Sequence, residues 1–308
     1  MDIGILINQL IQLFIVICMG YLLYKINIFN EEVNQKLTKL LLHVSLPAMI
    51  LSSVLSQTER PPATEVVEVF IIAVAMFVLL PVISVIVVKL MRMPKEQQGL
   101  YIFMTTFSNV GFMGFPIIDA LYGEKGVFYA AIINIIFNVA VFTYGTIMMH
   151  YGTGKKADLN LKKLINPGIL CSVASILIYV IDISFPAPIE NAVDTIGSIT
   201  TPIAMMLIGA TLAKMDVKSV FNDWRVYMFS VAKQLILPIL MFYAAKIFIK
   251  NEFILGITLI MFLMPVANTA LLFATEYHRD EKLAAKTVFI TTLMSLATIP
   301  FGIWFCMR

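Results

Sequence analysis

Residues 108–116 read SNVGFMGFP and lie within an apolar segment that carries no charge from Gln97 to Ile118. A helix that crosses a membrane is normally filled with Leu, Ile and Val, whereas this one has two glycines and a proline in this stretch. Glycine costs about 1 kcal/mol and proline about 3 kcal/mol inside a helix. Backbone groups freed in this way are tolerated at membrane depth only where protein or a watery cavity satisfies them. The stretch therefore predicts a broken helix with a polar gap, which is typical of the substrate site of a transporter.

Composition places the chain among integral membrane proteins. Of its 308 residues, 60% are hydrophobic and 13% are charged, against about 25% charged in soluble domains. The three cysteines, Cys18, Cys171 and Cys306, lie far apart in apolar segments, which favours neither a disulfide framework nor a metal cluster. The chain has no HExxH, GxSxG or phosphate-loop motif. We therefore expect no enzymatic activity, no catalytic residue, no cofactor, no metal and no nucleic-acid partner.

The apolar segments predict an all-α membrane protein with ten spans, because about 20 apolar residues cross the hydrocarbon layer. The predicted spans are 3–24, 40–58, 69–88, 97–118, 126–150, 164–181, 195–213, 226–245, 253–275 and 287–307. Only the eighth span contains a full charge, which is Lys233. The connections between the spans are too short to hold a soluble domain.

The basic residues predict the orientation of these spans. The odd-numbered connections carry 16 lysines and arginines, whereas the even-numbered connections and the C-terminus carry five. Connections on the cytoplasmic side are enriched in these residues. With ten spans, both termini are therefore expected on the outer side of the plasma membrane. The longest connection, residues 151–163, is expected in the cytoplasm.

The helix-breaking residues predict an internal repeat, because they recur 154–157 residues apart. The matched positions are Pro47 with Pro202, Pro81 with Pro238, and Gly111 with Pro265. Residues 1–150 and 164–308 are thus interpreted as two five-helix repeats joined by the linker 151–163. Because five is odd, the second repeat is expected to be inverted in the membrane relative to the first.

The ninth span contains a second predicted break, where FLMPVANTALLF places Pro265, Asn268 and Thr269 inside an apolar run. In each broken span the second half-helix is expected to begin near the centre of the membrane. A helix N-terminus carries about half a positive charge and unpaired N–H groups, so two such ends would favour an anion. The candidate binding residues at the two breaks are Asn109, Gly111, Gly114, Pro116, Pro265, Asn268 and Thr269. The alternative is a pair of kinked helices that only pack against their neighbours.

Three further polar positions have two interpretations each. Lys233 is expected to be a counter-charge for a substrate carboxylate or a nearby acid, unless it extends along its stem to water. Asn134 and Asn138 are four residues apart and share one helix face. They either line the cavity or hydrogen-bond to neighbouring helices. Asp119, just past the first break, either binds a coupling cation or lies at the membrane interface.

The run SNVGFMGFPIIDALYG (108–123), with SLPAMILSS (45–53), resembles the auxin efflux carrier superfamily. That superfamily includes the plant PIN-FORMED carriers and bacterial organic-anion permeases. The pattern Asn-x-x-x-Met-Gly-x-Pro occurs here at Asn109, Met113, Gly114 and Pro116. The resemblance implies a ten-helix inverted-repeat fold like that of sodium/proton antiporters and bile-acid symporters. It also implies that helices 4 and 9 cross and hold a carboxylate, and that the protein is a homodimer.

Together, the residues and the resemblance predict a secondary active transporter. Its expected substrate is a small organic anion or carboxylate, moved by elevator-like alternating access, with membrane lipid around the helices. One alternative is a carboxylate symporter coupled to Na⁺ or H⁺, and another is an anion channel. Export is the expected direction for an uncoupled anion carrier, because the membrane potential is negative inside.

Overall fold

The computed structural model describes residues 3–55, 61–151, 167–183, 185–214 and 223–308, and within those ranges the secondary structure is helical without β-strands. The helices in the first half are α1 (Ile3–Lys25), α2 (Glu31–Leu40), α3 (Leu46–Leu55), α4 (Ala63–Leu90), α5 (Lys95–Thr106), α6 (Phe115–Ala140) and α7 (Thr146–His150). Those in the second half are α8 (Pro167–Ile181), α9 (Ala187–Ser198), α10 (Thr200–Lys214), α11 (Trp224–Val231), α12 (Leu237–Phe248), α13 (Glu252–Leu263), α14 (Thr269–Glu276) and α15 (Glu281–Cys306).

Single π-helical turns continue several of these helices. They are Leu41–Ser45 between α2 and α3, Val110–Gly114 before α6, Val141–Gly145 between α6 and α7, and Ala232–Ile236 between α11 and α12. Polar side chains fix where other helices begin: Asn30, Asn251 and Asp280 each accept a hydrogen bond from a backbone N–H in the first turn of the helix that follows. These caps satisfy donors that have no partner within the helix.

Six helical segments are long and apolar enough to cross a membrane, and three shorter apolar helices accompany them in the described ranges. One of the six, Val110–His150, has 41 residues. At about 1.5 Å per residue it would be twice as long as the hydrocarbon layer is thick. Gly123, with a φ of 62°, breaks its helical backbone, so this segment consists of two helices joined by a turn. The protein is accordingly a multi-pass membrane protein.

Within the described residues, each of the ten predicted spans is occupied by one or more helical segments. In the predicted span 40–58, residues 40–55 are the C-terminal part of a longer helical segment, Glu31–Leu55, because the π-helical turn joins α2 directly to α3, and residues 56–58 lie outside the described ranges. Likewise, the helical segment Ala187–Lys214 begins well before the predicted residue 195. The linker 151–163 lies outside the described residues except for its first residue. Ten crossings and their orientation stay predictions.

The chain forms two compact units, each drawn from both halves of the sequence. Unit 1 comprises Met1–Val69, Val110–Ile135 and Ile165–Met215. Its helices α1 and α10 pack with their backbones close together. A Cβ built on Gly209 would lie 1.9 Å from the carbonyl oxygen of Ile17, and one on Gly20 would lie 2.1 Å from that of Met206. Small residues allow such close packing between membrane helices.

Unit 2 comprises Phe70–Asn109, Ile136–Leu164 and Asp216–Arg308. Its core is rich in aromatic rings, of which Phe103 packs against both Phe107 and Phe273 with ring centroids 4.7 and 4.9 Å apart. The two compact units do not coincide with the two repeats predicted at 1–150 and 164–308, because each unit contains residues from both halves of the chain. The internal repeat stays a prediction.

Candidate substrate site

Two helices of unit 2 are interrupted. Helix α5 ends at Thr106, and the backbone is extended at Phe107 before helical structure resumes at Val110. Helix α13 ends at Leu263, Met264 is extended, and α14 begins at Thr269. We call residues 107–109 the first break and 264–268 the second break. With 12 residues each, α5 and α13 are about 18 Å long, too short to cross the membrane alone.

The two breaks pair with each other through their backbones. Ser108 and Val266 form an isolated antiparallel bridge. The N–H of Asn109 donates to the carbonyl of Pro265 at 2.8 Å, and that of Ala267 donates to the carbonyl of Phe107 at 3.2 Å. Buried backbone groups must be paired in this way where water is excluded. Each break therefore provides hydrogen-bond partners for backbone groups of the other break, which have no partner within their own helix.

Proline explains the second break but not the first. Pro265 has no N–H, and it pushes Met264 into the extended region that residues before a proline prefer. In the first half, Gly111 and Gly114 lie in a π-helical turn after the break, and Pro116 is the second residue of α6. Pro116 is thus the seventh residue of the helical segment that begins at Val110, and it lies beyond the non-helical residues. The helix is therefore broken at the start of the predicted stretch 108–116: residues 107–109 are non-helical, and the stretch is helical from Val110 onward.

Lys233 lies at the first break. It belongs to the π-helical turn Ala232–Ile236, a feature often found at functional sites. Its side chain is 5% exposed, so it does not extend to water, and its Nζ donates to Ser108 Oγ at 2.7 Å. Within the described part of the chain, no carboxylate lies close enough to form a salt bridge with it. The site thus contains a buried amine whose one hydrogen-bond partner among the described residues is a neutral hydroxyl.

Gln234 and Thr291 support the second break, and sequence reasoning missed both. Thr291 Oγ1 accepts from the N–H of Val266 at 3.2 Å, and the carbonyl of Thr291 accepts from Gln234 Nε2 at 2.9 Å. Gln234 Oε1 is buried and has no hydrogen-bond partner among the described residues. The available signal was the presence of these polar residues, including the pair Thr291–Thr292, inside apolar spans.

The N-terminus of α14 carries two more of the predicted residues. Asn268 precedes the helix, but its side chain makes no capping hydrogen bond. Thr269 Oγ1 is buried and lacks a hydrogen-bond partner in the ranges that the structure describes. A hydroxyl and an amide at a helix N-terminus suit an anionic ligand.

The remaining predicted residues divide between the two units. Gly111 lies in unit 1 beside open space, since a Cβ built there meets no heavy atom within 4 Å. Asn134 is buried in α6 and belongs to unit 1, whereas Asn138, one turn later, belongs to unit 2. In unit 1, Thr201 Oγ1 lies 3.5 Å from Asp119 Oδ2. The roles of all of these residues in substrate binding stay predictions.

A protein family described as "Membrane transport protein" matches residues 5–160 and 156–303. The chain belongs to this family, which is that of the auxin efflux carriers. The resemblance seen in residues 108–123 is thereby confirmed. Because the family consists of transporters, the chain is a membrane transport protein and not an enzyme.

Relatives match over almost their whole length. An uncharacterised transporter of Methanocaldococcus jannaschii is 22% identical over 94% of this chain and 95% of its own. A putative malonate transporter of Rhizobium meliloti is 24% identical over 92% of this chain and 90% of its own. The uncharacterised transporter YfdV of Escherichia coli is 20% identical over 97% of this chain and 96% of its own. All three are named as transporters.

Proposed function

We propose that this protein is a secondary active transporter that carries a small carboxylate across the plasma membrane. The observation that carries the proposal is the hydrogen bond from Lys233 Nζ to Ser108 Oγ at the paired breaks. A charged lysine is costly at membrane depth, about 2.5–3.5 kcal/mol on insertion scales, and such residues are usually functional. A substrate carboxylate would supply the opposite charge that the described residues around Lys233 do not.

Neutral groups near the breaks would complete the binding of a carboxylate. Thr269 and Asn268 at the start of α14 offer a hydroxyl and an amide, and Asn109 adds a second amide at the first break. Hydrogen bonds to a charged group contribute about 1.5–3 kcal/mol each. In this proposal, Lys233 provides the charge and the neutral groups orient the ligand.

The substrate class has independent support from one relative. The Rhizobium meliloti protein is named a putative malonate transporter, and malonate is a small dicarboxylate. We infer that this chain carries the same chemical class, and we use malonate as the first compound to test.

The proposed architecture has ten helices in two inverted repeats, with both termini outside and with helices 4 and 9 crossing at the breaks. The pairing of residues 107–109 with 265–267 supports the crossing. The assembly of each compact unit from both halves of the chain is compatible with elevator-like alternating access by a homodimer.

The membrane potential would drive export. Moving one negative charge outward gains about 2.3 kcal/mol per 100 mV, which corresponds to a gradient of roughly fifty-fold. Import of the same anion would need a coupled cation, such as Na⁺ or H⁺.

Transport of labelled malonate in proteoliposomes tests the proposal. We expect saturable flux that is stimulated by unlabelled malonate on the opposite side and that reverses with the sign of an imposed potassium-diffusion potential. Flux that depends on a Na⁺ or H⁺ gradient would establish the symporter alternative instead. Flux that does not saturate and shows no counterflow would establish a channel.

A further inference from the structure

Unit 2 contains an apolar cleft of about 390 Å³. It has no lining residue in common with the paired breaks, although its residues Phe77 and Tyr144 pack against Phe107 of the first break. Helices α4, α5 and α7 and the turn before α7 form its walls. The lining residues are Phe77, Val78, Pro81, Val85, Ile102, Tyr144, Ile147, Met148 and Tyr151. Among these described residues none is charged, and two tyrosines carry the only side-chain polar groups.

Pro81 creates a place in this cleft where a backbone carbonyl needs a partner from outside its own helix. Because proline has no N–H, the carbonyl of Phe77, four residues earlier in α4, has no helical donor at that position. Tyr144 Oη donates to this carbonyl at 2.6 Å and so satisfies it. The side chain of Tyr144 thereby connects its own segment to α4 at Pro81, and the cleft extends beside this bond. The polar atoms at this place are already paired, which leaves a surface for an apolar ligand.

The cleft opens onto side chains that suit a hydrocarbon environment. Val78 is 61% exposed and Ile147 is 52% exposed, and both lie on helices of the membrane-spanning part. A small carboxylate would lose its hydration here without gaining a charged partner, which is unfavourable. An acyl chain would bury apolar surface and lose no hydrogen bonds. The lining therefore favours a lipid chain over the transported anion.

One end of the cleft is positively charged. Tyr151 lines the cleft, and its carbonyl oxygen lies 3.5 Å from Arg279 Nη2, which also donates to the carbonyl of Glu96. No carboxylate forms a salt bridge with Arg279 in the described ranges. Burial lowers the pKa of Arg279, because desolvation disfavours the charged form, but an arginine side chain keeps its proton in proteins.

Lys89 is a second cation, in the last turn of α4 and seven residues before Glu96, whose carbonyl accepts from Arg279. It follows the lining residue Val85 by four positions in α4, so the two side chains share one helix face. The basic residues Arg92 and Lys95 come directly afterwards. Basic groups at the cytoplasmic end of membrane helices attract anionic lipid headgroups.

We propose that this cleft is a binding site for an anionic glycerophospholipid of the inner leaflet. One acyl chain occupies the cleft beside Pro81 and Tyr144, and the headgroup phosphate lies between Arg279 and Lys89. An apolar lining near two cations that form no salt bridge with a carboxylate among the described residues is complementary to a molecule with a hydrocarbon chain and a phosphate. The cleft and the proposed substrate site have no lining residue in common, and lipid retention and malonate transport are measured separately, so either proposal can fail without the other.

Native mass spectrometry of the purified full-length protein tests the site. The probes are phosphatidylglycerol and phosphatidylcholine with identical acyl chains, added in a detergent solution. We expect one phosphatidylglycerol to be retained at least tenfold more strongly than phosphatidylcholine. Equal retention of the two lipids would overturn the assignment of the phosphate to Arg279 and Lys89.

Three tryptophan variants separate the cleft from the general lipid-facing surface. Ile147→Trp and Val78→Trp each fill the cleft from an exposed position and should abolish retention of the bound lipid. Leu79→Trp is the matched control, because Leu79 is 52% exposed, like Ile147, and lies on the opposite face of α4 from the lining. Wild-type retention in both cleft variants, or equal loss in all three, would overturn the proposal.

A charge variant tests the headgroup contact. Lys89→Gln should reduce the preference for phosphatidylglycerol several-fold while the retention of phosphatidylcholine stays the same. Lys36→Gln is the control. Lys36 is an exposed lysine of unit 1, and it belongs to a connection between predicted spans that is expected on the same side of the membrane as Lys89. An equal effect of the two substitutions would mean that the lipid responds to net charge alone.

Discussion

Lys233 is the residue on which the proposed substrate site depends. Its amine is buried and donates to Ser108 Oγ, a neutral acceptor. A buried charge normally requires an opposite charge or several hydrogen bonds. The arrangement is therefore understandable if the opposite charge arrives with the substrate.

Lys233→Met should weaken malonate binding while leaving the protein as stable as wild type or more stable. The lost charge-assisted bond is equivalent to about 1.5–3 kcal/mol, or roughly a 10- to 150-fold rise in the apparent binding constant. Replacing a buried charge with an apolar side chain of similar size is often neutral or stabilising. Proteoliposome flux and thermal unfolding measure the two effects, and Lys246→Met, on the exposed surface of α12, serves as the control. Unchanged kinetics in Lys233→Met would exclude Lys233 from substrate binding.

Ser108→Ala should destabilise the protein because it removes the partner of Lys233. We expect a loss of about 1–3 kcal/mol and, in the Lys233→Met background, a much smaller loss. Residues in contact show such coupling in a double-mutant cycle. Measuring the free energy of unfolding of the wild type, the two single variants and the double variant gives the coupling energy directly. Additive effects would mean that the hydrogen bond contributes little to stability.

At the scale of elements, the second break depends on a side chain from another helix. Thr291 of α15 accepts from the N–H of Val266 and donates to the carbonyl of Thr287 at 2.7 Å. Thr291→Val keeps the shape of the side chain but leaves that N–H without an acceptor, which costs about 1–3 kcal/mol. Thr291→Ser retains the hydroxyl and should unfold close to the wild-type temperature. Equal unfolding of the two variants would argue against this role for Thr291.

The packing of α1 against α10 gives a second test at this scale. Gly209→Ala would place a Cβ 1.9 Å from the backbone of Ile17, so the helices must separate, at an expected cost of about 1–3 kcal/mol or more. Gly111→Ala is the matched control, because its Cβ would enter open space. Thermal unfolding should therefore distinguish the two variants. A loss of transport in Gly111→Ala at unchanged stability would support the prediction that Gly111 lines the substrate path.

Local sequence signals predicted the second break better than the first. Pro265 stops α13 by its own covalent structure, so its effect is visible in the sequence. No glycine or proline lies within residues 107–109, and the position of this break reflects pairing with residues 265–267, far away in the chain. Ser108 as the partner of Lys233 was equally hidden, since 125 residues separate them. The role of Thr291 could not be predicted from the sequence, because membrane helices often contain threonine and because its partner is the backbone N–H of Val266.

At the scale of the whole molecule, the topology predicted from basic residues can be tested by cysteine labelling. In a variant with the three native cysteines replaced, Lys250→Cys should react with a membrane-impermeant reagent added outside, whereas Lys36→Cys should react only after the membrane is opened. Both positions are exposed, so differences in reactivity report the membrane side. A reporter that placed the linker 151–163 outside would refute the orientation with both termini outside.

The pairing of Ser108 with Val266 also has a consequence for biogenesis. Residue 108 is synthesised 158 residues before its partner, so the first break enters the membrane with the N–H of Asn109 and the carbonyl of Phe107 still unpaired. Groups of this kind cost several kcal/mol each in lipid. The first half of the chain is therefore expected to stay beside the insertion machinery until α13 and α14 arrive. A ribosome stalled before residue 265 should leave a nascent chain that crosslinks to the translocon and is readily degraded. The released full-length chain should neither crosslink to the translocon nor be rapidly degraded.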